Sequence, residues 1–139
     1  MNASDVIPSG GRFAREFAAI AEYWSPRVVA AANGQYLKLA KVMGEFLWHS
    51  HPGEDELFLV CKGRLTLRFR DGSAVTLNPG DFHVVPKGVE HLPIALEETW
   101  LVLFEPAATR HAGDVETARS KPIQSQTAHL TNDAAPAGG

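Results

Sequence analysis

The sequence contains a single cysteine, Cys61, among 139 residues. No intrachain disulfide can staple the fold, and a reducing compartment suits the chain. Positive charge is not in excess either: 13 Lys and Arg stand against 16 Asp and Glu, a net charge of -3. That balance attracts neither nucleic acid nor an anionic membrane surface, and neither partner is expected. No apolar run approaches the ~20 residues of a membrane helix. The opening MNASDVIPSGG has no basic patch followed by an apolar stretch. No secretory signal is read there, and a cytoplasmic location is expected. What the chain does have is enough length and apolar content for one domain with a core of its own.

Between Arg12 and Trp24, the residues Phe13, Phe17, Ile20, Ala21 and Trp24 recur at spacings of three and four. This stripe predicts a helix, ended by Ser25-Pro26, that covers an open side of a core or a partner subunit. Beyond it the period changes to two. Strands are expected over residues 27–31, 35–51, 56–61, 64–70, 75–77, 82–85, 92–96 and 99–105, with a bend at Gly44. Asn33-Gly34 and Asp71-Gly72 are hairpin turns. Short strands split by Gly, Pro and Asn turns, with no helix between them, predict an all-β sandwich or barrel. Residues 1–26 form an N-terminal helical segment in this reading and 27–106 the barrel. Residues 107–139 form an extension with one helical turn at 114–119, disordered and flexible from about 124.

The stretch GEFLWHSHPGEDELFLVCKG, Gly44 to Gly63, carries the first chemistry. On a strand, His49 and His51 point to one face with Cα atoms about 6.7 Å apart, within reach of one cation. Glu56 shares its face with the apolar Phe58 and Val60, whereas Asp55 lies in the opposite phase and is expected to stay solvated. Taken alone, this stretch reads equally as a polar strand end or as three convergent ligands. A second stretch, GDFHVVPKGVEHLPIA from Gly80 to Ala95, adds His91 beyond a Pro86-Lys87-Gly88 turn.

Together the two stretches resemble the paired motifs of the cupin superfamily, small jelly-roll β-barrels. His49, His51, Glu56 and Gly63 match the first motif; Gly80, Pro86, Gly88 and His91 match the second. Gly44 sits one residue closer to His49 than the pattern asks, and Ala95 stands where asparagine is expected. The resemblance covers residues 36–106. It implies a single cupin barrel in which His49, His51, Glu56 and His91 ligate one divalent metal. Three imidazoles and a carboxylate suit Fe, Mn, Ni, Co, Cu or Zn better than Ca or Mg.

Other polar residues are candidates of lesser weight. His83, in the strand leading to His91, and Glu45, in phase with His49 across the Gly44 bend, are candidate catalytic groups. Tyr36, Lys38 and Glu105 are assigned to solvated faces, with a place lining the barrel mouth as the alternative; Cys61 is assigned to packing, and Trp48 to the outside of the cavity, beneath the N-terminal helix or at a dimer interface. His111 and His129 are treated as incidental. The resemblance implies a metalloenzyme acting on a small oxygen-bearing molecule, by dioxygenase-like or sugar (sugar-acid) isomerase-like chemistry. The alternative is a binding or sensing module without turnover. The Phe13/Phe17/Trp24 stripe marks the surface expected to join a homodimer.

Overall fold

The computed structural model of the chain describes residues 7–109, 126 and 128–130. It contains one short helix, α1 (Phe13–Ala18), and seven strands: β1 (Arg27–Ala32), β2 (Gln35–Glu45), β3 (Glu56–Lys62), β4 (Leu65–Phe69), β5 (Ala74–Leu77), β6 (Phe82–Val85) and β7 (His91–Pro106). All the strand pairings are antiparallel. The main sheet runs β1-β2-β7-β3-β6, while β4 joins β7 and carries β5. This is the all-β fold the turns predict, in the jelly-roll form the resemblance implies.

The two strands expected over 92–96 and 99–105 are one strand. β7 is long enough to serve both halves of the barrel. Its first part pairs with β4, from His91↔Phe69 to Ile94↔Thr66. Its second part lies between β2 and β3. The register against β2 slips between Val42 and Gly44, and Gly44 has φ 84°. The bend read from the sequence is thus a bulge, which lets β2 follow the curvature of β7.

β2 ends at Glu45, so the expected extension to His51 is not a strand. Residues 46–55 form a connection tied to β7 by the Phe46 N–H, which donates to the Pro93 carbonyl at 3.0 Å, and by the bridge His49↔His91. At the far end of β3, Gly63 turns the chain into β4 with φ 85°, and a Cβ there would lie 2.4 Å from Thr99 Oγ1. That hydroxyl accepts from the Arg64 N–H and donates within the same turn, so only glycine fits the corner.

α1 is shorter than the stripe predicted. Phe17 and Ile20 pack with Leu39 and Val102 on the outer face of β2 and β7, and Phe17 stacks on Trp100 with centroids 4.8 Å apart. After Ala19 the chain exchanges helical bonds for contacts with β2. Lys41 Nζ donates to the Ile20 carbonyl at 3.3 Å, and the Trp24 N–H donates to the Lys41 carbonyl at 2.9 Å. Trp24 ends with φ 57° and its ring inside the barrel mouth. The stripe therefore serves this chain's own packing, and Phe13 alone of its aromatic residues is exposed.

The tail also departs from expectation. Gln126 and Leu130 are buried, Gln126 and residues 128–130 are helical, and His129 Nε2 lies 2.7 Å from the Val28 carbonyl. Disorder from about residue 124 does not describe these four residues, because buried Lys38 draws the Gln126 amide oxygen onto its ammonium. His111 and the helical turn expected at 114–119 lie outside the described residues. No helix among the described residues is long and apolar enough to cross a membrane.

Candidate metal centre

The two motif stretches are laced together through their backbones. The His49 N–H donates to the His91 carbonyl at 3.1 Å, and the His91 N–H returns the bond to the His49 carbonyl at 2.9 Å. The Gly88 N–H donates to the His51 carbonyl at 2.8 Å. Asp55, exposed as its phase predicts, accepts from the Lys87 N–H at 2.8 Å and holds the Pro86-Lys87-Gly88 turn in place. Glu56 arrives from the start of β3, with its side chain facing inward.

His49, His51, Glu56 and His91 are all buried, and each offers a ligand atom within 4.8 Å of the others. Hydrogen bonding prepares the rings. His49 Nδ1 lies 2.9 Å from the Leu47 carbonyl, and His91 Nδ1 lies 3.0 Å from the Val89 carbonyl. A ring nitrogen beside a carbonyl carries the proton, which leaves Nε2 as a lone-pair donor facing the cluster. His51 Nε2 and His91 Nε2 are buried with no hydrogen-bond partner among the described residues. Buried polar atoms without partners are costly, and a cation would satisfy both. The donor set of three imidazoles and one carboxylate fits a divalent transition metal.

The electrostatics agree with this role. Burial, helped by neighbouring His91, pushes His49 down to about 4, so its ring is neutral at pH 7. For His51, burial is the largest influence and acts downward. The Glu56 carboxylate, with Oε1 3.3 Å from His51 Nε2, outweighs it and raises the value. Burial likewise favours the neutral form of Glu56, but the approach of Glu105 and of the His51 and His91 rings, whose Nε2 atoms lie 3.3 Å and 3.7 Å from its Oε1, holds it well below the usual carboxylate range.

Solvated faces are the preferred expectation for Lys38 and Glu105, and only the alternative, a place lining the barrel, fits Glu105. The structure buries both. Lys38 Nζ sits 2.7 Å from Glu105 Oε1 in a fully enclosed ion pair, and it also donates to the Thr109 carbonyl at 3.4 Å. Burial and the charge of Glu56 raise Glu105 well above the usual carboxylate range, against the pull of the Lys38 ammonium. Strand phase carries the signal that would have found them. Glu105 alternates with Leu101 and Leu103 on β7, and Lys38 with Ala40 and Val42 on β2.

These groups close one end of a cavity of about 30 Å³, lined by His49, Glu56 and Glu105 and otherwise by carbon surface. Trp24, Phe46, Phe58 and Leu103 are among its apolar walls. The two catalytic candidates read from sequence lie elsewhere. His83 is half-buried opposite Phe58 and 6.2 Å from the Phe69 ring, and it does not line the cavity. Glu45 is exposed beside Ile94. Trp48 packs outside the cavity, as expected, beneath the Arg70 guanidinium at 4.0 Å rather than beneath α1. Cys61 is exposed instead of packed, because it falls on the outer face of β3.

The family model for the cupin domain matches residues 38–105, the span from Lys38 to Glu105. A cupin-2 domain protein from Shewanella frigidimarina is 46% identical, with a TM-score of 0.67 over 69% of this chain and 93% of that one. Protein NMB1881 from Neisseria meningitidis is 33% identical, with a TM-score of 0.66 over 70% of this chain and 99% of that one. The uncharacterized protein YdbB of Bacillus subtilis is 38% identical over 63 residues, which are 45% of this chain and 56% of its own length. The chain spans little more than half of that curated relative. With its barrel, its four convergent donors and these relatives, the chain belongs to the cupin superfamily, as a small member built on one cupin-2 barrel.

Proposed function

We propose that the protein is a metal-dependent enzyme acting on a small oxygen-bearing molecule, with dioxygenase-like chemistry as the best-supported reading. The observation that carries it is a cluster of four buried, convergent donors, two of which, His49 and Glu56, line a largely apolar cavity. His49, His51, Glu56 and His91 would hold the metal, which supplies Lewis acidity and, with iron, access to oxygen chemistry. The chain's own contribution is positional. The Leu47 and Val89 carbonyls fix two imidazoles by hydrogen bonding, and the apolar walls keep bulk water from the reacting end. Glu105, raised well above the usual carboxylate range beside Glu56, is the cavity's candidate for moving a proton to or from a ligand oxygen.

The lining favours oxygen chemistry over sugar chemistry. A polyhydroxylated substrate needs a polar partner for nearly every hydroxyl, whereas this cavity offers His49, Glu56 and Glu105 alone among its lining residues. One observation favours isomerase-like proton transfer as the second reading: the Glu56–Glu105 carboxyl pair, an acid and a base side by side. The deciding experiment is oxygen uptake and product formation by iron-loaded protein, compared with His49→Ala. Uptake abolished by the substitution supports the first reading, and conversion without uptake supports the second. Ligand binding with no conversion, aerobically or anaerobically, makes the protein a binding or sensing module.

The homodimer is proposed on a different surface from the helical stripe. Phe82, Val84 and Phe104 are 68%, 46% and 38% exposed on the outer face of β6 and β7, and Val84 and Phe104 flank Leu57 of β3 in direct register. They leave roughly 300 Å² of apolar surface open, enough for the core of a dimer interface of ~800 Å² per partner. The occupant is a second copy of this chain. The lone thiol and the absence of a spanning helix among the described residues suit the proposed cytoplasmic location.

A further inference from the structure

Trp24 packs its ring against the barrel core from an unusual backbone conformation. Its φ of 57° puts a bulky side chain in the left-handed region, where non-glycine residues are costly and usually held for a reason. Three contacts hold it. The backbone N–H donates to the Lys41 carbonyl at 2.9 Å. The indole Nε1–H donates to the Met43 carbonyl at 2.9 Å. The ring stacks on Phe46 with centroids 4.7 Å apart and planes 16° from parallel. Phe46 in turn meets the His49 ring edge-on at 5.5 Å. An aromatic wall therefore runs from the half-buried cavity mouth to the first donor of the metal centre.

This wall has a defined chemistry. The indole N–H is already used by Met43, so Trp24 presents carbon surface and no polar handle to the cavity. The enclosed space of about 30 Å³ holds about two water molecules. A ligand's oxygen atoms can reach the donors there, while its carbon frame must lie at the mouth against Trp24 and Pro26. We propose that Trp24 determines specificity: with Phe46 it recognises the planar, unsaturated or aromatic frame of a small chelating substrate. This deepens, and rests on, the reading of His49, His51, Glu56 and His91 as the metal centre.

The test uses zinc-loaded full-length protein and two probes with the same chelating group, benzohydroxamate and acetohydroxamate, titrated calorimetrically. The wild type should bind the planar aryl probe about tenfold more tightly than the methyl probe, the scale expected of one aromatic contact. Trp24→Ala should bring the two affinities within about threefold while leaving acetohydroxamate unchanged, and Trp24→Phe should restore most of the preference. Trp24→Leu, which keeps apolar volume without a flat ring, should behave like Trp24→Ala and guards against a folding defect. Equal affinities in the wild type, or a preference that survives both Ala and Leu, would overturn the specificity role alone. If neither probe binds zinc-loaded protein, the open metal centre itself is wrong, and this inference falls with it.

Discussion

Glu105 stands between two partners that pull it in opposite directions: Lys38 Nζ at 2.7 Å on one oxygen, and the metal-centre carboxylate Glu56 on the other side. The ammonium favours a charged Glu105, while burial and Glu56 favour a neutral one. Burial and Glu56 outweigh Lys38, and Glu105 is held well above the usual carboxylate range. The Lys38–Glu105 pair and the metal centre are therefore one buried polar network, and disturbing one end should be felt at the other.

Breaking that network from one side is the costly change. Lys38→Met or Glu105→Leu should each lose about 3–5 kcal/mol in urea unfolding, because each leaves a buried polar partner unmatched. The double variant should lose far less than the sum of the two. Additive losses would mean that the groups do not interact.

The metal-free protein should lose stability as pH falls from about 6.5 to 4. His49 is held at about 4 in the fold, against ~6.5 unfolded, so the unfolded chain takes up the proton first. The shift corresponds to about 3 kcal/mol, present above the unfolded value and lost as pH falls towards the folded one. His51, raised by Glu56, acts in the opposite sense and blunts the slope. Thermal melts across that range should show the decline, and His49→Gln should flatten it.

Gly63→Ala should destabilise by about 2–4 kcal/mol, combining left-handed backbone strain with overpacking. The new Cβ would meet the Glu98 carbonyl at 2.5 Å as well as Thr99. Chemical denaturation measures this directly, and a loss below about 1 kcal/mol would show that the corner relaxes freely.

Phe82→Glu should convert the proposed homodimer to monomer without unfolding it, since Phe82 is 68% exposed. Light scattering at micromolar concentration gives the mass. A wild-type monomer, or a dimer untouched by the substitution, would remove this face as the interface.

Period and spacing made much of this legible. Turn residues and strict alternation point to an all-β sandwich or barrel, and the resemblance carried by two spaced motifs adds the barrel and brings His91 to the same point as His49 and His51. Strand phase chose Glu56 over Asp55. Glu97-Glu98 looked like a break, and no local signal says that β7 runs through it to serve two sheets. Likewise, the stripe through Trp24 is helical in sequence, but β2 contacts outcompete the helix after Ala19. The burial of Lys38 and Glu105 is hard to read from sequence because each is ordinarily a surface residue, and only their pairing makes burial tolerable. Gln126 belongs to the same case, since its partner Lys38 lies 88 residues away.

The central claim is that four buried side chains form one metal centre. Elemental analysis of the protein from its native source, alongside a His49→Ala/His91→Ala variant, tests it most directly. About one equivalent of a single transition metal per wild-type chain, and almost none in the variant, is the expected result. Less than about a tenth of an equivalent in the wild type, even after reconstitution with Fe, Mn, Ni, Co, Cu and Zn, would contradict it.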